Sequence, residues 1–461
     1  MHSLTIRDFA PDMREVRALS LLAAPIIMTG MAEMAINATD VVMMGWLGAD
    51  ALAAGLLGSH YYAFSHFFGL GVLAAVAALL AQALGARRRR DVRRIVRRGL
   101  WVGTCIAVPA VFVLLSAERV LLWLGQHPQV ASDARLYLDT RLYGFLPGMW
   151  FLVFAHLLAA HSRPKATMVV TIIAIGINAI GNYLLMFGQF GFPKLGLAGA
   201  GISSSIVDSF LALTLAVFIL RTRPFKRYFI FYRICRADFA RFIEIFKVGL
   251  PIAGTILAEA GLFLASTLLI GRIGTAELAG HAVAVQCASI AWMVPYGISQ
   301  AATVRVGLSA GARSIHGVAR SAATALIAGC GFMVLPATLF LIWAHPIASV
   351  YLDVDDAANA EAIAFAAAFL VVAAFFQLVD GAQAIASGSL RGLKDTQIPM
   401  WLAGFSYWVL GFGAAILFGF YGDYGGVGVW IGLAFGLGAA AILLNWRFVA
   451  MVNRLQRDGF S

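Results

Sequence analysis

The sequence repeats its own pattern at a constant offset of 226 residues. Pro25-Ile26 returns as Pro251-Ile252, and Ala32-Glu33 as Ala258-Glu259. Gly45, Gly48 and Leu52-Ala53 return as Gly271, Gly274 and Leu278-Ala279, and Gly85-Ala86-Arg87 as Gly311-Ala312-Arg313. The repeated stretches are long apolar runs that carry an acid at the same place. Two related halves of membrane-spanning helices, each with carboxylates inside them, are the pattern of a secondary transporter.

Composition supports the membrane. Of 461 residues, 61% are hydrophobic and only 12% charged, about half the charge of a soluble domain. Mean hydropathy is +0.85. Many apolar runs exceed the roughly 18 residues that mark a membrane span, which argues against a large soluble helical protein. Twelve spans can be drawn, near 18–45, 52–84, 94–116, 137–160, 165–187 and 199–220, then 242–271, 278–310, 321–343, 362–390, 398–419 and 427–450. The first apolar run is too long and too acidic for a signal-peptide core, so it reads as a retained helix.

The net charge of +11 is unevenly placed. Alternate connections and nearby helix ends hold 29 of the 34 Lys and Arg residues, and the other side holds 5. The positive-inside rule then puts both termini in the cytoplasm. The basic run 87–98 has aromatic residues nowhere among its charges, so nucleic acid is not expected as a partner. Six spans per repeat is an even number, so both halves enter the membrane in the same orientation. The expected fold is an all-α integral membrane protein of twelve transmembrane helices. They form two six-helix lobes related by a pseudo-two-fold axis along the membrane normal. The expected division is 1–220 for the N-lobe, 221–241 for a basic, aromatic, amphipathic linker on the cytoplasmic face, and 242–461 for the C-lobe.

Several chemistries are disfavoured. Cys105, Cys235, Cys287 and Cys330 are far apart and form no CxxC or zinc spacing. His60, His66, His156 and His281 lie in or near spans without an HExxH spacing, and no Ser or Cys nucleophile has an evident base, so an enzyme is not expected. No GxxxxGK[ST] loop occurs, which favours an ion gradient over ATP. Glycine patterns at Gly196, Gly199 and Gly201, and at Gly432, Gly436 and Gly438, suggest close helix approach.

A charge at the bilayer centre costs about 2.5–3.5 kcal/mol on insertion scales, so acids inside spans point to function. Glu33, Asp40, Asp208, Glu259 and Asp380 are such acids. Glu33 and Asp40 are nearly two turns apart on one face of the first span. Asp208, in a Ser-rich stretch, also reads as a satisfied polar spot. Asn178 and Asn182 share a face of the fifth span, and Ser203, Ser204 and Ser205 begin the sixth. Amide and hydroxyl oxygens beside a carboxylate suit Na+ or a proton relay. Inter-helix hydrogen bonding is the plainer alternative for them.

These residues carry a family resemblance. Pro25 followed by Asp40-Val-Val-Met-Met-Gly resembles the first helix of multidrug and toxic compound extrusion (MATE) transporters. LPIAGTILAEAGLF at 250–263 resembles the seventh helix, and DGAQAIASGSLRGLKD at 380–395 the tenth. NAIGNYLLMFGQFGFPKLGLAGAG at 178–201 resembles the fifth helix and the loop after it. The resemblance covers nearly the whole chain and is nearest to the bacterial NorM-like branch. It implies a secondary active antiporter in the inner membrane that expels organic, mostly lipophilic cationic, drug-like compounds by alternating access. Na+ or H+ is the coupling ion, no other cofactor is implied, and the protein is expected as a monomer in the lipid bilayer.

Position by position, the resemblance assigns ion or proton coupling to Asp40, Asn178, Asn182 and Ser204, and to Glu259 and Asp380, which are also the candidate Na+ ligands. It places Gln286 and Gln383 on the substrate cavity. Glu33 stands where the NorM-like pattern tends to have glutamine, which would add an acid to that cavity. Phe376 stands one turn before Asp380, where an aromatic hydroxyl is common. The alternative cargo is a lipid-linked oligosaccharide. A flippase cavity built for pyrophosphate would carry intramembrane Arg or Lys, whereas these spans read as holding acids almost alone.

Overall fold

The computed structural model describes residues 12–232, 238–353, 356 and 359–459. Part of the expected linker, with Cys235, lies outside the described residues. Among the described residues, twelve helices are long and apolar enough to cross a bilayer. They are α1 (Met13–Leu47), α2 (Ala49–Gly85), α3 (Arg89–Leu115), α4 (Pro128–Ala160), α5 (Lys165–Phe187) and α6 (Leu197–Arg221), followed by α7 (Phe239–Ile273), α8 (Thr275–Gly311), α9 (Ile315–Ile342), α10 (Ala360–Gly392), α11 (Gln397–Tyr421) and α12 (Gly425–Asp458). The described residues contain no strand.

All twelve expected spans are present, but several reach further than hydropathy suggests. Helix α4 begins at Pro128, well before 137, because proline suits a helix start and the polar first turns still form a helix. An Arg135–Asp139 pair at i,i+4 supports that stretch, and Arg454–Asp458 does the same at the end of α12. Two short helices, Ala117–Trp123 after α3 and Ala344–Tyr351 after α9, are too brief for a hydropathy window to register.

The duplication is visible in the backbone. Helices α1, α2 and α3 start at Met13, Ala49 and Arg89, and α7, α8 and α9 start 226 residues later, at Phe239, Thr275 and Ile315. The turn after α2 is left-handed at Arg87 (φ 56°) and the turn after α8 at Arg313 (φ 58°). Both are closed by the same two bonds. Arg88 N–H reaches Ala83 O at 2.8 Å and Arg87 N–H reaches Leu84 O at 2.9 Å; Ser314 to Ser309 and Arg313 to Ala310 match them, each at 3.0 Å. These bonds satisfy carbonyls that a helix end leaves unpaired.

The chain forms two compact units, and the first helix of each repeat, α1 and α7, is divided between them. One unit is Met1–Ile27 with Gly254–Ser461, and the other is Met28–Ala253. The cuts in α1 and α7 again lie 226 residues apart, just after Pro25 and Pro251. This differs from a division at the linker, because sequence patterning assigns a helix whole whereas packing acts on each of its turns. In the first unit, Glu15 of α1 is bonded by Arg305 of α8, with Nε at 2.8 Å, and by Ser321 of α9 at 2.8 Å. In the second, the start of α7 lies so near α2 that a Cβ on Gly249 would overlap the Val72 backbone.

Glycine explains the tightest helix contacts. A Cβ on Gly436 of α12 would strike the Gly411 backbone of α11, and one on Gly432 would strike Ala415. Along that contact α11 widens into π-helix at Phe405–Gly411 and Leu417–Tyr421. Gly199 similarly faces the Leu185 carbonyl and Gly201 the Tyr137 carbonyl. Gly196 and Gly438 make no comparable approach; Gly196 instead adopts φ 57° at the start of α6.

The described part of the linker is docked. Phe225–Tyr228 forms one 3-10 turn, with Phe225 and Tyr228 buried and Lys226 and Arg227 exposed. Arg97 of α3 donates Nε to Ile230 O at 2.8 Å and Nη2 to Phe229 O at 3.2 Å. Only Phe225 and Tyr228 turn inward, whereas Phe229, Phe231, Tyr232 and Phe239 are exposed beside the basic side chains.

Candidate functional site

In the unit Met28–Ala253, Asp40 is 8% exposed and is the centre of a neutral donor set. Asn178 donates Nδ2 to Asp40 Oδ1 at 2.9 Å, and Asn182 donates to the same oxygen at 2.6 Å. Ser204 Oγ donates to the other oxygen at 3.1 Å. The i,i+4 spacing on α5 aims both amides at one point, and Ser203 steadies that helix by donating to Asn178 O at 3.2 Å. A carboxylate ringed by uncharged donors is satisfied by hydrogen bonds yet keeps its capacity for a proton or a small cation. The structure thus brings together all four residues expected here.

A second polar cluster lies in the same unit. Arg141 of α4 donates Nη1 to Asp208 of α6 at 2.5 Å, and its guanidinium lies 4.2 Å from the ring centroid of Tyr62. The helix α4 tightens to a 3-10 turn at Leu142–Gly144 at this point. Ser205 Oγ accepts from Gly144 N–H at 3.1 Å and reaches Thr140 O at 2.8 Å, so the break is satisfied by α6. A Cβ on Gly144 would meet Arg141 and Asp208, so glycine leaves the pair its space. Asp208 is therefore an ion-paired group rather than one satisfied by serines alone. Glu33 is exposed on α1 and lies within electrostatic reach of Asp208. Glu33 and Asp40 share α1, but only Asp40 is buried.

The unit that contains Gly254–Ser461 holds the third cluster. Asp380 of α10 is 4% exposed, and its Oδ1 is buried without a hydrogen-bond partner. Glu259 of α7 is half-buried and close enough for its charge to act on Asp380. Tyr407 of α11 is fully buried, lies within reach of both charges, and accepts a hydrogen bond from Gln383 Nε2. Arg391, near the end of α10, donates Nη2 to Ser299 Oγ at 2.8 Å and acts electrostatically on Glu259. Two carboxylates within electrostatic reach of one another, with a buried phenol beside Gln383, thus share one half-buried region of this unit. Among the described residues, no group of three or more His, Cys, Asp or Glu side chains converges.

Two expectations, those on Phe376 and on cations in the spans, need correction. Phe376 does not line a cavity: it is 1% exposed and packs edge-on against Phe263 and Trp430, at 6.1 and 5.8 Å between ring centroids. The hydroxyl missing at Phe376 is supplied nearby by Tyr407, from a different helix. Gln286 is exposed on α8, whereas Gln383 is buried against Tyr407. The spans are also not nearly free of cations, since Arg141 and Arg391 both lie inside long helices. Arg141 is neutralised by Asp208, and Arg391 faces Ser299 and the field of Glu259, so neither is an unopposed grip for pyrophosphate.

Tyr407, Arg141 and Arg391 escaped the sequence reading. A tyrosine in FSYWV carries no periodic mark of a buried hydroxyl, and both arginines lie close to the ends of the expected spans. A signal for Arg141 existed: Asp208 in an apolar run requires a positive partner, and Arg141 is the one Lys or Arg inside the expected span 137–160.

The MatE family profile matches residues 25–184 and 251–417, so both matches begin at corresponding points of the repeat. The chain is 42% identical to the probable multidrug resistance protein NorM of Mesorhizobium japonicum, over 95% of this chain and 94% of that protein. It is 44% identical to the protein of the same description in Rhizobium meliloti, again over 95% and 94%. Among solved structures it resembles a multidrug resistance MATE family transporter of the MOP superfamily in an outward-facing conformation. The TM-score is 0.87 at 18% identity, over 99% of this chain and 100% of that one. The eukaryotic MATE transporter AtDTX14 gives a TM-score of 0.85 at 20% identity, over 98% and 99%. With both repeats matched by the profile and relatives above 40% identity along almost the full length, this chain belongs to the MatE family.

Proposed function

We propose that the protein is a secondary active multidrug efflux antiporter that exports organic, mostly lipophilic cationic compounds in exchange for Na+ or H+. The observation that carries this reading is the buried Asp380 carboxylate, with one oxygen lacking a donor and with Glu259 beside it. Two acids near one another in an apolar bundle cannot both stay charged without a cation. A proton, a sodium ion or a cationic drug each meets that need, and they exclude one another. Competition of this kind gives exchange, because each ligand shifts the equilibrium between inward- and outward-exposed states by its differential affinity. The Asp40 group, with Asn178, Asn182 and Ser204, is the corresponding coupling site of the other unit. The relatives named as probable multidrug resistance proteins support this cargo.

The basic asymmetry of 29 to 5 supports both termini in the cytoplasm, and the bacterial relatives support an inner-membrane location. It acts as a monomer, without nucleic acid. The test is efflux of a fluorescent lipophilic cation from proteoliposomes, with a pH gradient and a sodium gradient imposed separately. One gradient is expected to drive efflux, and Asp380→Asn or Glu259→Gln to abolish it in protein that remains folded. Full efflux by both variants would remove these acids from the mechanism.

A further inference from the structure

Outside these clusters, the most distinctive feature is a cleft of about 300 Å3 lined by Arg89, Arg90, Arg93, Pro224, Arg227 and Tyr228. The first three arginines open α3, and the others belong to the connection between α6 and α7. The positive-inside rule explains why basic residues occupy these connections. It does not explain why four arginines should line one concave space. Like charges gathered this way repel one another unless an anion joins them.

The surrounding acids are already engaged. Asp91 pairs with Arg94 at 4.0 Å and with Arg241 at 3.3 Å, and Asp238 lies 3.7 Å from Arg94. Among the described residues, none of the four cleft arginines pairs with a carboxylate. Arg93 Nε is buried and has no hydrogen-bond partner. The floor is also fixed before any ligand arrives. His161 Nε2 and Tyr228 Oη are 2.9 Å apart, and the His161 ring packs edge-on against Phe225 and Tyr228. Arg97 holds the next two carbonyls, those of Phe229 and Ile230.

We propose that this cleft is a binding site for a phosphate-bearing anion of two or more negative charges, at the level of the lipid headgroups. Guanidinium forks match phosphate oxygens in pairs, and four of them around one space suit a diphosphate better than a single carboxylate. Helix α3 enters its apolar stretch only after these arginines, which puts the cleft at the edge of the hydrocarbon. Basic pockets there recognise anionic headgroups. A diphosphate lipid such as cardiolipin and a soluble diphosphate offer the same chemistry.

The experiment uses the full chain in two arms. In the first, the protein is placed in phosphatidylcholine nanodiscs with and without cardiolipin, and thermal unfolding is measured alongside lipid retention by native mass spectrometry. In the second, detergent-solubilised protein receives inorganic pyrophosphate or chloride at equal ionic strength. At least one probe is expected to raise Tm by several degrees. A shift with cardiolipin alone identifies a lipid headgroup, and a shift with pyrophosphate identifies a soluble source; either sustains the site. Arg93→Gln with Arg227→Gln is expected to remove at least half of the shift, and Arg119→Gln, on an exposed arginine outside the cleft, to leave it intact. Should the double variant not fold, Arg90→Gln alone, read by lipid retention, serves instead. No shift with either probe, or equal shifts in wild type and cleft variants, overturns the proposal.

Discussion

Asn182 and Asp40, 142 residues apart in the chain, are joined by an amide-to-carboxylate bond of 2.6 Å that ties α5 to α1. The bond ends on a carboxylate that is 8% exposed, where each lost donor leaves an oxygen less satisfied. Removing one partner of such a buried bond costs about 1–3 kcal/mol. Asn182→Ala is therefore expected to lower Tm in detergent and to slow efflux of a fluorescent cation. An unchanged Tm together with unchanged efflux would detach Asn182 from the work of Asp40.

The Arg141–Asp208 pair predicts a different pattern. Either partner alone, left in this setting, is an uncompensated charge, and breaking such a pair costs about 3–5 kcal/mol. Arg141→Met and Asp208→Leu should each destabilise strongly, while the double variant recovers a large part of the loss. Thermal unfolding of the three proteins forms a double-mutant cycle. Strictly additive losses would mean that the two side chains do not act as a pair.

Tyr407 places a hydroxyl against Gln383, within electrostatic reach of Asp380 and Glu259. Tyr407→Phe keeps the ring and removes only that oxygen, leaving the Gln383 amide without its acceptor. Efflux is expected to fall about tenfold, equivalent to about 1.4 kcal/mol in the rate-limiting barrier. Expression and the far-ultraviolet circular dichroism should remain those of wild type. Wild-type efflux by this variant would reduce Tyr407 to a packing residue of its core cluster.

Much of this arrangement is legible in the sequence because membranes impose few solutions. Apolar runs fix the count of spans, and the repeat fixes which of them correspond, down to paired left-handed turns at Arg87 and Arg313. The Asp40 group was readable because Asn178 and Asn182 are spaced one turn apart and acids in oil are conspicuous. What the sequence hides is partnership across helices. Nothing local says that Tyr407 meets Gln383, that Arg141 meets Asp208, or that Phe376 turns away to pack on Trp430. The division of α1 and α7 between compact units is hidden for the same reason: hydropathy reports how apolar a turn is, not which neighbour it packs against.

His161 gives a pH dependence outside the spans. Its Nδ1 lies 2.9 Å from Leu157 O and its Nε2 2.9 Å from Tyr228 Oη. Burial pushes its pKa below the ordinary 6.5; the bond to the Leu157 carbonyl opposes this, and the charge of Arg163 adds to it. The folded protein thus binds the proton less readily than the unfolded chain. The stability that neutral His161 contributes is fully present above about pH 6.5 and is lost as pH falls through the lowered value. His161→Gln removes this titration. The difference in Tm between wild type and His161→Gln is therefore expected to shrink as pH falls from about 7.5 to about 5. A difference that stays constant over that range would show that His161 is not neutral in the fold, or that its proton is not linked to folding.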